Sequence, residues 1–169
     1  MLQLISLGPE HRDLLFDMME EWTAAGESIV PYSIRKLDYR DYDAYLAGFA
    51  QDRLGQDNFV PATTLFGLDP QQNLLVGAVN IRHYLNDSLL HSGGHIGDGV
   101  RPSQRRRGYA TQMIALALDH CRGMGMDRVL MTCDRENIPS AKSIRNNAGV
   151  LENEVEKDGV IMQRYWITL

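Results

Sequence analysis

The middle of the chain constrains the fold most strongly, because it places a strand, an arginine-rich turn and a long amphipathic helix in direct succession. Residues 95–101 have the length and composition of a short strand that contains two glycines. Across residues 107–124, apolar side chains recur at helical spacing until two glycines end the pattern. A buried-type strand follows at residues 128–133. This strand–helix–strand order predicts a parallel pair of strands joined by a right-handed crossover.

Shorter patterns predict the remaining elements. Apolar residues at helical spacing indicate two helices in the first third of the chain, and Asn137 fits the cap of a third. The predicted helices cover residues 10–25, 38–54 and 137–149, and the predicted strands cover residues 2–7, 62–68, 74–85, 150–156 and 160–168. The order β-α-α-β-β-β-α-β-α-β-β predicts one α+β domain over residues 1–169, with a mixed sheet in α/β/α layers.

Composition narrows the functional classes. The chain has 169 residues and a net charge of −5, which fits one globular domain and argues against a general nucleic-acid coat. No apolar run is long enough to span a membrane, and the start lacks signal-peptide features, so we expect a cytoplasmic protein without membrane partners. Cys121 and Cys133 are expected to be reduced core thiols. A catalytic Cys133 is the weaker alternative, because every histidine precedes it.

The turn before the long helix carries Arg101, Arg105, Arg106 and Arg107 within seven residues. Free N–H groups and the dipole of a helix N-terminus favour an anion at such a place. Gly108 lets a ligand approach the backbone closely, and arginines pair with phosphate oxygens. The turn therefore predicts a pyrophosphate site, with a solvated basic loop as the simpler alternative. It lacks the Gly-Lys-Ser/Thr of a Walker loop and the glycine spacing of a dinucleotide fingerprint.

The pattern Arg105-x-x-Gly108-x-Ala110 resembles the Arg/Gln-x-x-Gly-x-Gly/Ala motif of the GNAT N-acetyltransferases. Asn137, at the start of the helix after the next strand, also fits that family. The resemblance covers most of the chain and is strongest over residues 93–151, which are similar to a poorly characterised bacterial subgroup. It implies an acyltransferase that moves an acetyl group from acetyl-CoA to a primary amine by direct attack in a ternary complex, without a metal ion.

The resemblance also implies where the cofactor binds. The pantetheine arm lies in a V-shaped opening between the strand that ends near Val100 and the strand that ends near Cys133. Val100 contacts pantetheine through its backbone, and Asn137 and Ser140 lie beside the arm. The pyrophosphate is held by the turn and the start of the helix, at Arg105, Arg106, Arg107, Gly108, Tyr109, Ala110 and Thr111.

Direct attack requires a neutral amine, so a base is expected near the thioester. The candidates are Asp98 and His95, on the strand beside its expected position, although His95 is as easily a plain strand residue. Many family members supply a tyrosine from the last helix as the acid that protonates the departing thiolate. The corresponding position here is Ile144, and that helix contains no tyrosine. Solvent, Ser140 or Cys133 are the alternatives for that proton.

The sequence does not identify the acceptor, which is a small-molecule or peptide amine expected to bind against the first two helices and the final hairpin. Dimers are common among relatives, so the resemblance allows a homodimer. Two other functions stay open: a catalytically silent acyl-CoA-binding sensor module, favoured by the missing tyrosine, and nucleic-acid binding through the basic turn, disfavoured by the net charge. A metal site built from His83, His91, His95 and Asp98 matches no typical spacing and is not expected.

Overall fold

A computed structural model describes all 169 residues, and its helices and strands follow the predicted order. The helices are α1 (Arg12–Ala24), α2 (Tyr42–Leu54), α3 (Tyr109–Gly123) and α4 (Ile138–Asn146). The strands are β1 (Gln3–Ile5), β2 (Ala62–Asp69), β3 (Leu74–Arg82), β4 (Ile96–Val100), β5 (Arg128–Asp134), β6 (Val150–Lys157) and β7 (Val160–Thr168). A π-helical turn at Leu89–Gly93 lies in a segment that the sequence indicates only as a loop.

The strands form two antiparallel sheets, in the orders β1-β2-β3-β4 and β5-β7-β6. The prediction that β4 and β5 form a parallel pair is wrong, except for a single contact at His95. The two strands meet where the His95 N–H donates to the Leu130 carbonyl at 2.7 Å, and no ladder continues from there. Each strand instead has a full antiparallel partner on its other side, β3 for β4 and β7 for β5. The two sheets therefore separate after His95.

Helices cover both faces of the sheets, which confirms the predicted α+β layers. α1 and α2 pack on the first sheet around an apolar cluster that includes Trp22, Tyr45 and Phe66. α3 and α4 pack on the opposite face, and their cluster includes Met113 and residues of both sheets. The second cluster holds the two sheets together behind the gap between β4 and β5.

Local caps determine where the helices begin. The Asp41 side chain accepts a hydrogen bond from Ala44 N at 3.4 Å, so α2 begins at Tyr42 rather than at residue 38. Asn137 caps α4 in the same way, by accepting from Ser140 N at 3.2 Å. None of the helices combines the length and apolar character that crossing a membrane requires.

Candidate active site

An open cleft separates β4 from β5 beyond the point where the two strands touch. β4 is the edge strand of its sheet, and it bonds to β3 through His95 O at 2.7 Å and Arg101 N at 2.8 Å. Because bonded positions alternate along an antiparallel ladder, the backbone groups of Asp98 and Val100 point away from β3 and into the cleft. The cleft therefore presents a strand edge to which an extended ligand can bond.

The turn between β4 and α3 ends the cleft with a run of free backbone donors. The N–H groups of residues 106–111 donate no hydrogen bond within the chain, and the first bond of α3 runs from Gln112 N to Gly108 O at 3.1 Å. Arg106 and Gly108 have positive φ values of 59° and 80°, which turn the chain sharply before the helix. Free N–H groups at a helix N-terminus favour an anion, and this run of six is here called the cradle.

Two of the four arginines of the turn bind protein groups rather than the cradle. Arg101 is 4% exposed and forms ion pairs with Asp17, at 2.8 Å, and with Glu21 of α1. Arg105 pairs with Glu27, and its Nε donates to Val100 O at 3.0 Å. The hydrogen bond from Arg105 is the main reason why the pKa of Glu27 lies below its usual value. These contacts fasten the turn to α1 and to β4.

The remaining two arginines face solvent at the cradle. The Nη1 of Arg107 donates to Gln104 Oε1 at 2.6 Å, which directs that side chain along the turn. The guanidinium of Arg106 has no hydrogen bond or ion pair within the protein, and the residue is exposed. Arg106 is therefore the arginine most available to an anion on the cradle. The sequence alone does not distinguish these four arginines, whereas the structure shows that their contacts differ.

Three residues at the start of α3 contribute to the cradle through their backbone. The Tyr109 hydroxyl donates to Asp69 Oδ2 at 2.5 Å and accepts from Gln72 Nε2 at 2.7 Å, so its side chain packs on the turn between β2 and β3. The hydrogen bond from Tyr109 is the main reason why the pKa of Asp69 lies well below its usual range. Ala110 and Thr111 are half-buried in the first turn of α3 and leave their N–H groups free.

The opposite wall of the cleft is formed by the end of β5 and the start of α4. Asn137 is exposed there, and its Oδ1 is engaged in the cap of α4. Ser140 is half-buried and lies near enough to the Cys133 thiol to oppose part of the effect of burial on its pKa. Cys133 is 5% exposed, and burial raises the pKa of its thiol, so the sulfur is protonated near neutral pH. The thiol is a donor in this state, not a nucleophile.

Asp98 is the ionisable group of β4 that faces the cleft. It shares its face of the strand with Ile96 and Val100, and its charge raises the pKa of Cys133 on the opposite wall. No hydrogen bond or ion pair engages its carboxylate, and burial alone raises its pKa to about 6. A carboxylate with a pKa this close to neutrality can accept a proton at physiological pH and release it again.

His95 occupies a structural position at the closed end of the cleft. It is 8% exposed, and its Nδ1 accepts a hydrogen bond from Leu130 N at 2.9 Å. Burial lowers its pKa to about 4, with further contributions from Arg82 and Arg128. The ring is therefore neutral with its proton on Nε2, and neither nitrogen is free to take another proton without breaking the bond to β5. Of the two candidate bases, Asp98 has a carboxylate without a protein partner, whereas the acceptor nitrogen of His95 is engaged by Leu130 N.

The last helix supplies no acid side chain to the cleft, and Ile144 is fully buried there. Tyr165 of β7, which the sequence reasoning missed, is close enough to Cys133 for that thiol to raise its pKa. It is also fully buried, and its hydroxyl donates to Gln163 Oε1 at 2.6 Å. The cross-strand position of Tyr165 opposite Met131 depends on strand register, which no local motif indicates.

The histidines named as metal ligands are dispersed in the structure. His83 Nε2 lies 2.8 Å from Thr63 Oγ1, and His91 Nε2 lies 3.1 Å from the Glu156 carbonyl. No three histidine, cysteine, aspartate or glutamate side chains come together as a metal site would require.

We expect Asp98→Asn to raise the melting temperature by several degrees at pH 8. Because the pKa of Asp98 is higher in the folded protein than in the unfolded chain, ionisation of Asp98 destabilises the fold as pH rises from 4 towards 6. The gain should therefore shrink as pH falls from about 6 to about 4 and vanish below that, where both states carry the proton. Thermal denaturation of both proteins between pH 4 and 8 measures this difference. An equal melting temperature at pH 8 would mean that the carboxylate is well solvated.

The sequence matches the family model described as an acetyltransferase (GNAT) domain over residues 2–147. No curated protein sequence matches the chain significantly. Among solved structures, RimL, a ribosomal L7/L12 alpha-N-protein acetyltransferase in complex with coenzyme A, aligns with a TM-score of 0.70 at 17% identity, over 99% of this chain and 94% of RimL.

Two further solved structures align over 99% of this chain. The microcin C7 self-immunity acetyltransferase MccE, in complex with acetyl-CoA and AMP, has a TM-score of 0.72 at 15% identity and is covered over 92%. The spermidine/spermine N-acetyltransferase SpeG from Vibrio cholerae has a TM-score of 0.63 at 15% identity and is covered over 95%. At these identities the structures show a common fold, whereas the family model matches most of the sequence itself. The chain belongs to the GNAT acetyltransferase family.

Proposed function

We propose that this protein transfers the acetyl group of acetyl-CoA to a primary amine by direct attack in a ternary complex. The observation that carries the proposal is the cradle of six free N–H groups at the end of the open edge of β4. An edge strand that leads into an anion site suits a ligand with an extended amide-containing arm and a pyrophosphate. Acetyl-CoA has both parts, and RimL and MccE, which share this fold, are complexes with coenzyme A and acetyl-CoA.

The cradle holds the pyrophosphate in this proposal. The N–H groups of residues 106–111 bind its oxygens, and the unpaired guanidinium of Arg106 adds a charge-assisted hydrogen bond. Arg105 acts indirectly, because its bonds to Glu27 and Val100 fix the turn against β4. Arg107 contributes its backbone and a nearby positive charge.

The pantetheine arm lies in the cleft with its amides along the edge of β4 at Asp98 and Val100. The Val100 carbonyl already accepts from Arg105, so the arm is expected to use the N–H of Val100 and the backbone of Asp98. Asn137 and Ser140 line the other side of the arm. This position brings the thioester between Asp98 on one wall and Cys133 on the other.

Asp98 is the general base of the proposed reaction. An alkyl ammonium has a pKa near 10.4, so the amine must lose a proton before its nitrogen attacks the carbonyl carbon. The carboxylate of Asp98, with a pKa of about 6, takes that proton at neutral pH. The new C–N bond forms, the C–S bond breaks, and the thiolate leaves, while the nitrogen releases its second proton to give the neutral amide. The thiolate takes a proton from solvent, from Ser140 or from the Cys133 thiol, and solvent replaces any proton that a side chain gives up.

A catalytically silent acyl-CoA-binding sensor is the second candidate. The observation that favours it is the buried Ile144, which leaves α4 without an acid side chain for the cleft. Release of free coenzyme A thiol in the presence of acetyl-CoA and a panel of amines separates the two functions. Product formation with any amine excludes a purely silent module, and cofactor binding without turnover on the whole panel supports it.

Calorimetric titration tests the cofactor assignment directly. We expect micromolar binding of acetyl-CoA, and weaker binding of dephospho-coenzyme A and of a pantetheine derivative without the pyrophosphate, because charge-assisted hydrogen bonds to phosphate are lost. Binding that is equally strong without the pyrophosphate would place the ligand elsewhere. No binding at high protein concentration would mean that the cradle is only the start of a helix, and the proposed function would be wrong.

A further inference from the structure

A polar cavity of about 200 Å³ lies on the face of the first sheet that α1 and α2 cover. Its lining includes Tyr32, Lys36, Asp52, Phe59, Asn80 and Arg82. Arg82 connects the cavity to β4, because a side-chain carbon built on Gly97 would lie 3.4 Å from Arg82 Nη2. Gly97 precedes Asp98 on the strand, so Arg82 packs on the face of β4 opposite the side chain of the proposed base.

Arg82 brings an unbalanced positive charge to this cavity. Its Nη1 donates to the carbonyls of Gly93 and Gly94 at 3.2 and 3.4 Å, whereas Nε and Nη2 donate to no protein atom. No carboxylate lies within salt-bridge distance of the guanidinium, and burial lowers its pKa. The Nε and Nη2 hydrogens form one edge of the guanidinium, which is the geometry that binds a carboxylate through two parallel hydrogen bonds.

Asp52 supplies a second unsatisfied group on the same cavity. Its side chain is 10% exposed, and its Oδ1 pairs with Lys36 Nζ at 2.5 Å. Its Oδ2 is buried without any hydrogen-bond partner. A buried carboxylate oxygen in this state is costly unless a donor reaches it. The Lys36–Asp52 pair is neutral as a whole, so the positive charge of Arg82 is the net charge of the lining.

We infer that the cavity binds the acceptor, and that the acceptor is an α-amino acid with a hydrogen-bond donor in its side chain. Its carboxylate binds Nε and Nη2 of Arg82, and its side-chain donor reaches Oδ2 of Asp52. The α-amine then lies beside Gly97 and reaches the thioester and Asp98 round the free edge of β4. This inference rests on the proposed function, because it specifies the amine of that reaction.

The size and charge of the cavity separate this class from other amines. The cavity volume of about 200 Å³ is below the roughly 300–1,000 Å³ of pockets that hold drug-sized ligands, which suits a ligand as small as a single amino acid. A polyamine presents only cations to Arg82, and the N-terminus of a protein has no carboxylate next to its amine. Both would leave the guanidinium unpaired.

The test compares each of the twenty common L-amino acids with its α-carboxamide, at saturating acetyl-CoA, by release of coenzyme A thiol. We expect kcat/KM for amino acids with a side-chain donor to exceed that for the matching carboxamides by about tenfold to a hundredfold, since a charged hydrogen-bond partner is lost in the amide. Arg82→Gln should remove this difference by raising KM for the acid. Arg82→Lys keeps the positive charge but lacks the two parallel N–H donors. This variant should keep part of the difference in kcat/KM between acids and carboxamides.

The exposed Arg122→Gln of α3 is the matched control and should keep the wild-type ratio of acid to amide. If Arg82→Gln slows both members of each pair equally, Arg82 only supports the fold of the loop at Gly93, and the inference is overturned. Equal turnover of acids and amides by the wild type overturns it as well.

Calorimetric binding of the same amino acids, to the protein with and without coenzyme A, completes the test. If acetyl-CoA binds but no amino acid reacts or binds at millimolar concentration, the acceptor class is wrong while the proposed cofactor site stands. If amino acids bind with a preference over their amides but acetyl-CoA does not bind, the cavity assignment stands and the proposed transfer reaction fails.

Discussion

Replacement of Gly108 by aspartate is expected to weaken acetyl-CoA binding by about a hundredfold while the protein stays folded. Gly108 precedes α3 with a φ of 80°, and an added Cβ would meet only Gln112 Nε2, at 3.8 Å, so the substitution causes no steric clash within the protein. The new carboxylate would lie within the cradle and repel a phosphate bound there. For unit charges about 5 Å apart, at an effective dielectric constant of about 20, the repulsion is about 3 kcal/mol, or roughly a hundredfold in affinity.

Gly125→Asp offers a matched control at the other end of α3. Gly125 also has a φ of 80° and has no neighbouring atom within 4 Å of an added Cβ. Both variants therefore carry the same charge change and a similar backbone strain of about 1 kcal/mol. Gly125→Asp should lose a comparable amount of stability and bind acetyl-CoA like the wild type. Unchanged affinity in Gly108→Asp, or an equal loss in both variants, would remove the cradle as the pyrophosphate site.

The architecture was predictable because each helix and strand of this chain has its own local signal. The apolar stripe of α3, the Asn137 cap of α4 and the Asp158-Gly159 turn between β6 and β7 depend on residues close together in the sequence. The cradle has the same property, because the glycine and the free N–H groups of a helix start lie within one turn. The element order and the run of free N–H groups before α3 therefore followed from the sequence.

Other features depend on contacts between distant residues and were not predictable. β4 and β5 belong to two separate sheets, in which they pair with β3 and β7, and no local pattern indicates where those sheets part. The carboxylates that engage Arg101 and Arg105 lie about eighty positions earlier, on α1 and just after it. Likewise, the cavity at Arg82 needs α2, β3 and the loop after β3 in one place. Periodicity describes the elements, but it contains no information about which side chains meet.

Replacement of Asp98 by asparagine is expected to lower turnover by about a hundredfold to ten-thousandfold, the usual contribution of general acid–base catalysis. The change is nearly isosteric, so acetyl-CoA affinity should change little. The active form of Asp98 is the ionised one, and its pKa is about 6. Wild-type kcat/KM should therefore fall as pH drops through 6, and this dependence should be absent from the variant. Steady-state rates between pH 5 and 9 measure both effects.

Asp134→Asn provides the control for electrostatics in the cleft. Asp134 ends β5 on the opposite wall and is half-buried like Asp98, and asparagine keeps the oxygen that accepts from Glu136 N at 2.9 Å. If Asp98 only adds negative charge to the cleft, the two variants should slow turnover alike and neither should lose the inflection near pH 6. Turnover near wild type in Asp98→Asn across pH 6 to 9 would exclude Asp98 as the base. An Asp98→Asn variant that is slow and also more stable at pH 8 would show why a carboxylate without a protein partner is kept at position 98. Ionised Asp98 destabilises the fold at the pH where the reaction needs it as a base.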